Sequence, residues 1–180
     1  MFLARGISVA RYREFVAAED RAAIARFVQT RFKERYLRPI TTPGKHGFTM
    51  MAVACLMIET LESFAHGWRD TKRRSEEAFV KFFKRHRPFA VFHPIARGFW
   101  RDIRCGLLHQ GEARGGWRIR RSGPLLEQAS KVINATRFVS ALAGTLDEYA
   151  QALQLADWNS FVWRNCRSKM DAICENALGS

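Results

Sequence analysis

Arg104 and His109 stand five residues apart in the stretch Arg101-Asp102-Ile103-Arg104-Cys105-Gly106-Leu107-Leu108-His109-Gln110, at the end of a predicted helix. Imidazole is the side chain best suited to moving a proton near neutral pH. Guanidinium stays charged and presents a planar fork that matches phosphate oxygens. Together they are the minimum set for metal-free cleavage of RNA. One group handles the proton at the 2′-hydroxyl or the leaving oxygen, and the other stabilises charge building on the phosphate. At 100° per residue the two positions lie about 140° apart on an ideal helix. One chain therefore predicts a loose site unless the last turn unwinds before Gly111. Two copies across a two-fold axis would place two Arg and two His around one phosphate. Asp102, Cys105 and His109 do share a stripe, which makes Asp102 a candidate orienting group and Cys105 an accessory neighbour. The competing reading is a helix cap: Arg104 paired with Asp102 or Glu112, and His109 favoured by a helix C-terminus.

The elements expected to position these residues are helical. Val9 to Leu37 carries apolar residues at helical spacing, with a break near Glu19-Asp20. Pro39 and Pro43 make Arg38 to Gly44 a loop. Phe48 to about Phe64 reads as the most buried helix. Its apolar run to Ile58 is short for a bilayer, and Glu59 and Glu62 follow at once. Those two carboxylates share a face, and a salt bridge from each to an Arg outweighs a paired-carboxylate active site. Gly67 to Arg74 is a polar connector. Ser75 opens the next helix as a capping hydroxyl, and Arg87-Pro88 closes it. Ile95 to Gln110 is the site helix, with Gly111 as its stop. Trp117-Arg118-Ile119-Arg120 alternates with period two, and Ser122-Gly123-Pro124 is a turn signal, so a small hairpin or extended flap is expected there. Helical spacing returns from Ile133 to about Leu153. A last helix follows, with Asp157 as its cap. The expected architecture is an all-α, up-and-down bundle of five to six helices with one small β insertion, filling residues 1–180 as one domain.

Charge points the same way as the pair. The chain carries 30 Lys and Arg against 17 Asp and Glu, a net charge of +13. Between His66 and Arg121 the balance is fifteen to five. Such a field attracts polyanions. Arg114, Trp117, Arg118, Arg120 and Arg121 interleave cations with an aromatic, as a surface that tracks a phosphate backbone and stacks a base would, and Arg101 is a further candidate RNA contact. Trp117 tucked into the core is the alternative. Lys72, Arg73, Arg74, Lys81, Lys84, Arg85 and Arg87 form a second cationic run, read as a solvated face with weak phosphate contact. His86 and His93 lack Cys or carboxylate neighbours at ligand spacing, so no metal site is expected. No cofactor motif is present. The four cysteines form no Cys-x-x-Cys pair, and the N-terminus lacks a signal-peptide core; a cytoplasmic protein with no membrane association is expected.

With its Arg104-x4-His109 motif near a helix end, this sequence resembles the HEPN superfamily, helical bundles that carry Arg-x(4–6)-His. The resemblance implies a metal-independent endoribonuclease that dimerises to build a composite site, in toxin–antitoxin, abortive-infection or other anti-phage systems. It implies that Arg104 stabilises the phosphate and His109 is the acid–base. RNA, a second copy and an acidic antitoxin-type protein are the implied partners. Two positions depart from the family pattern. Cys105 follows the Arg where many members carry Asn, Asp or His, and Gly111 stands where one toxin subgroup carries a Tyr. A non-catalytic basic module that binds nucleic acid, a nucleotide or an acidic protein is the alternative function.

Overall fold

Residues 1–41, 44 and 46–179 are described in the computed structural model. Most of them are helical. A short hairpin, β1 (Phe2–Ala4) and β2 (Ile7–Ser8), precedes α1 (Val9–Ala17) and α2 (Arg21–Phe32). The hairpin was not expected from sequence, because its strands are too short to show period two. The break at Glu19-Asp20 is real: the Asp20 side chain accepts the Ala23 amide at 2.9 Å and starts α2 afresh. The chain then runs through a π turn (Lys33–Leu37) and a 3-10 turn (Arg38–Ile40). The Pro43 part of the expected loop lies outside the described residues.

α3 (Gly47–His66) is the central helix, packed by α4 (Ser75–Arg85), α7 (Ala135–Leu155) and α8 (Phe161–Leu178). By length and composition it is apolar enough to cross a membrane, and 61% of its most apolar window is buried inside this fold. Gly67 ends it in the left-handed conformation.

After α4, residues Arg87–Ile95 form a 3-10 stretch that contains both Pro88 and Pro94. α5 (Ala96–Phe99), a π turn (Trp100–Arg104) and α6 (Cys105–Gln110) then run on as one continuous helix. In the π turn the Cys105 amide reaches back five residues to the Trp100 carbonyl. Gly111 ends α6 with φ 72°, as its position predicts. This helix rests on a cluster of wholly buried rings. Phe99 stacks on Phe138 with centroids 5.7 Å apart and meets Phe83 edge-on at 5.0 Å. Each such ring stabilises the fold by about 1.5–3 kcal/mol through burial.

The β insertion is larger than a hairpin. β3 (Arg118–Arg120), β4 (Leu126–Glu127) and β5 (Val132–Asn134) form one sheet with β5 in the centre, parallel to β3 and antiparallel to β4. Ile133, expected in a helix, is therefore a strand residue, and α7 starts at Ala135. All three β5 residues are buried, so the strand shows no alternation, and the Val132-Ile133 pair alone does not distinguish strand from helix. The Asn134 side chain joins the two elements: it accepts the Arg137 amide as helix cap and donates to the Gly123 carbonyl. Ser160, not Asp157, stands at the N-cap position of the last helix; its hydroxyl makes no capping bond, and its amide donates to the Asp157 carbonyl.

Candidate functional site

Arg104 and His109 meet within one chain. Arg104 Nη1 lies 3.2 Å from His109 Nε2. The expectation of a loose single-chain site is therefore corrected, and the reason lies on α3. Glu59, buried in the apolar helix, accepts the Arg104 Nε–H at 2.7 Å. That bond draws the guanidinium toward α3, and the long side chain then spans the angle that helix geometry left open. The last turn does not unwind to achieve this: the Glu112 amide closes back onto the Gly106 carbonyl.

Glu59 is held in turn. Thr71 donates to its Oε2 at 2.6 Å, and Ser75 donates to its Oε1 at 2.9 Å. The Trp100 indole donates to the Ser75 hydroxyl at 2.9 Å. Ser75 thus serves the site; the expected capping bond at the start of α4 is not made, since no side chain caps that helix. Side chains from three segments converge on one carboxylate, and a buried carboxylate without such partners would be strongly unfavourable. Burial works against the charge on Arg104, but the bond to Glu59 and its negative charge outweigh burial, so Arg104 is held protonated more firmly than a free guanidinium. Its side chain keeps 17% exposure, and His109 is exposed. Cys105 is half-buried beside the Arg104 guanidinium.

Asp102 does not orient His109. Arg101 claims its carboxylate through Nε at 2.7 Å and Nη2 at 2.8 Å. The Arg101 hydrogen bond holds that carboxyl below its ordinary range despite burial. Its backbone carbonyl accepts the Arg114 amide at 2.8 Å, which ties down the loop after α6. The same loop crosses Gly106 so closely that a Cβ there would lie 2.4 Å from the Glu112 carbonyl oxygen.

The expected mixed cation–aromatic surface divides by strand geometry, because successive side chains of a strand face opposite ways. Arg118 and Arg120 point outward, and Arg118 Nη2 donates to the Ser130 carbonyl. Trp117 and Ile119 pack against the core, so Trp117 is not a free stacking platform. Arg114 is half-buried. β3 reaches α3 at Gly47, twelve residues before Glu59, or roughly 18 Å along the helix axis. Arg101 stands one turn before Arg104 on the same helix and Arg114 packs against Gly106, so both stay beside the pair, and the other run adds to them. Lys72, Arg73 and Arg74 are exposed on the connector between Thr71 and Ser75, the two hydroxyls that hold Glu59. Arg73 holds a positive φ of 62°, an uncommon conformation for a residue with a side chain.

The salt bridges expected for Glu59 and Glu62 both form, to Arg104 and Arg85. Sequence reasoning did not place Thr71, Ser75 or Trp100 in the site. The one signal for them was a carboxylate inside an apolar helix, which requires partners without naming them. Among the described residues no group of three His, Cys, Asp or Glu gathers at metal-binding distance. Comparison with protein-family models, with curated proteins and with solved structures gave no match.

Proposed function

We propose that this protein is a HEPN-like, metal-independent endoribonuclease acting in the cytoplasm, in toxin–antitoxin or anti-phage defence. The observation that carries this reading is the contact between an exposed His109 and an Arg104 oriented by Glu59. In the reaction His109 takes the proton of a ribose 2′-hydroxyl, the 2′-oxygen attacks phosphorus, and the bond to the 5′-oxygen breaks. That oxygen leaves with a proton from an imidazolium, and the product carries a 2′,3′-cyclic phosphate. Arg104 neutralises charge on the equatorial phosphate oxygens. For His109 to act as base, Nε2 must be released by Arg104, so RNA phosphate takes over the guanidinium as it binds.

A homodimer belongs to this proposal through the family resemblance. Each chain already carries an Arg–His pair, and the dimer would bring two pairs to one phosphate. Exposed Leu56 and Phe48 on α3, Leu56 lying one turn from Glu59, support a second copy docking on that face.

The test is RNA cleavage in excess EDTA by wild type, His109→Ala and Arg104→Ala. Cleavage by wild type alone is expected; equal cleavage by wild type and His109→Ala overturns the catalytic reading. One observation favours the second reading, a non-catalytic module that binds nucleic acid, a nucleotide or an acidic antitoxin-type protein: Arg104 is already charge-paired with Glu59. Salt-sensitive RNA binding without cleavage selects it.

A further inference from the structure

Glu62 lies one turn beyond Glu59 on α3 and has no exposed surface. Arg85 holds it with two prongs, Nη1 to Oε1 at 3.0 Å and Nη2 to Oε2 at 3.1 Å. The same Nη2 lies 2.8 Å from His66 Nε2, which also lies 3.2 Å from Glu62 Oε2, so the three side chains form one closed cluster. These three side chains form one end of a cleft of about 480 Å³ between α3, α4, α7 and α8. Most of the remaining wall is apolar, with Leu61, Ala65, the Tyr149 ring, Ala152, Phe161 and Val162, and a few polar groups join it, Glu148 among them.

We propose that this cleft binds a small organic carboxylate with an apolar chain or ring, its head group on Arg85.

Size, wall and head group each argue for that class. Pockets for small ligands run to about 300–1,000 Å³ and are mostly apolar with a few placed polar groups. Phe161 stands 76% exposed at the mouth, where an apolar ligand body would cover it. Arg85 is the one Lys or Arg among the lining residues, its side chain is 39% exposed, and its Nε–H is not used by Glu62 or His66. A guanidinium fork fits a carboxylate. Both imidazoles nearby are biased toward the neutral form. Burial pushes His86 down to about 4, and burial followed by the Arg85 charge lowers His66. An amine would meet Arg85 head-on.

The buried pair also supplies a route for exchange. Burial pushes Glu62 up to about 7, against the opposing charge of Arg85 and Lys81, while Glu77 adds to the rise. A ligand carboxylate arriving at Arg85 raises Glu62 further, so Glu62 takes up a proton and releases the guanidinium to the ligand. Glu148 on α7 sits at the rim, and α8 contributes only the neutral Asn165 and apolar side chains. Binding therefore takes up protons and tightens as pH falls from about 8 to about 6.

Isothermal titration of the full chain with octanoate and 4-phenylbutyrate, beside octanol and octylamine, tests this. The carboxylates are expected to bind at least roughly tenfold more tightly than either neutral or cationic analogue. Proton uptake should appear as a heat that depends on the buffer. Ala152→Trp, at an exposed α7 position, should abolish binding while the melting temperature stays within a few degrees. If that variant does not fold, Phe161→Glu tests the same mouth. Equal affinity for the three head groups overturns the assignment, as does binding undiminished in both variants, or none at millimolar carboxylate. A dimer that Ala152→Trp dissociates would show the cleft to be covered by a second copy and would overturn it too.

Discussion

Arg104 Nη1 lies 3.2 Å from His109 Nε2, an approach that only an unprotonated Nε2 can accept. A fixed cation and a neutral base are thereby held in contact on adjacent turns of one helix. The contact defines both what the site can do and how it can be broken.

His109→Ala should lower RNA cleavage by about 10²–10⁴-fold, the usual contribution of general acid–base catalysis. Arg104→Lys should fall nearly as far as Arg104→Ala, because an ammonium cannot bond Glu59 through Nε and present a second prong. Single-turnover rates on a labelled oligoribonucleotide measure both. Full activity in Arg104→Lys would show that only charge matters there.

Glu59→Ala should destabilise the fold by about 3 kcal/mol, since it strands Arg104, Thr71 and Ser75 around a lost carboxylate. Denaturant unfolding of Glu59→Ala, Arg104→Ala and the double variant should give a coupling above about 1 kcal/mol. Simple additivity would show the pair to be energetically idle.

Gly106→Ala should cost about 1–3 kcal/mol and expose residues 111–117 to protease, because the new methyl meets the Glu112 backbone and not a movable side chain. Gly98→Ala is the control. Nothing lies within 4 Å of its added Cβ, so it should be neutral or stabilising by up to about 1 kcal/mol. Equal melting temperatures for both would refute the close crossing at Gly106.

Acid stability should divide between two residues. Glu62 is raised to about 7, so the folded state holds its proton more tightly than the unfolded chain does. Its contribution is present below about 4.5 and is lost as pH rises through 7. His86 is lowered to about 4, so its contribution runs the other way and is lost as pH falls from 6.5 toward 4. Relative to Glu62→Gln, wild type should lose of order 2 kcal/mol between about pH 4.5 and 7. Parallel pH curves for the two proteins would contradict the burial of an ionisable Glu62.

Replacing Lys72, Arg73 and Arg74 together by Gln should weaken RNA binding and shrink the salt slope by about 2, at roughly 0.7 per phosphate contact on a single strand. Replacing Arg118 and Arg120, far along α3 from Glu59, should leave the cleavage rate unchanged. Filter binding across a salt series distinguishes the two patches.

The helices were legible where apolar spacing was long and regular, as in α3 and α7, and where a cap residue such as Asp20 or Gly111 had a local job. The centre of the insertion was not, because Val132-Ile133-Asn134 is buried on both faces and shows no period. Asp157 and Ser75 looked like caps by type. Each was used otherwise, Asp157 through its carbonyl and Ser75 through a carboxylate sixteen residues earlier.

By itself the sequence determined the chemistry on offer: an Arg and a His near a helix end, a strongly basic middle, and two carboxylates in an apolar helix that had to find cations. Tertiary structure alone decided which groups meet. A helical wheel measures angles about one axis, and Arg104 reaches His109 because Glu59, on another helix, pulls its side chain across that angle. It likewise sent Asp102 to Arg101, Trp117 into the core and Lys72 to Arg74 to the edge of the site. The Arg104 outcome depends on a carboxylate 45 residues away, and spacing along the chain carries no record of that neighbour; Asp102 went to the residue beside it, a choice that helical spacing does not show either.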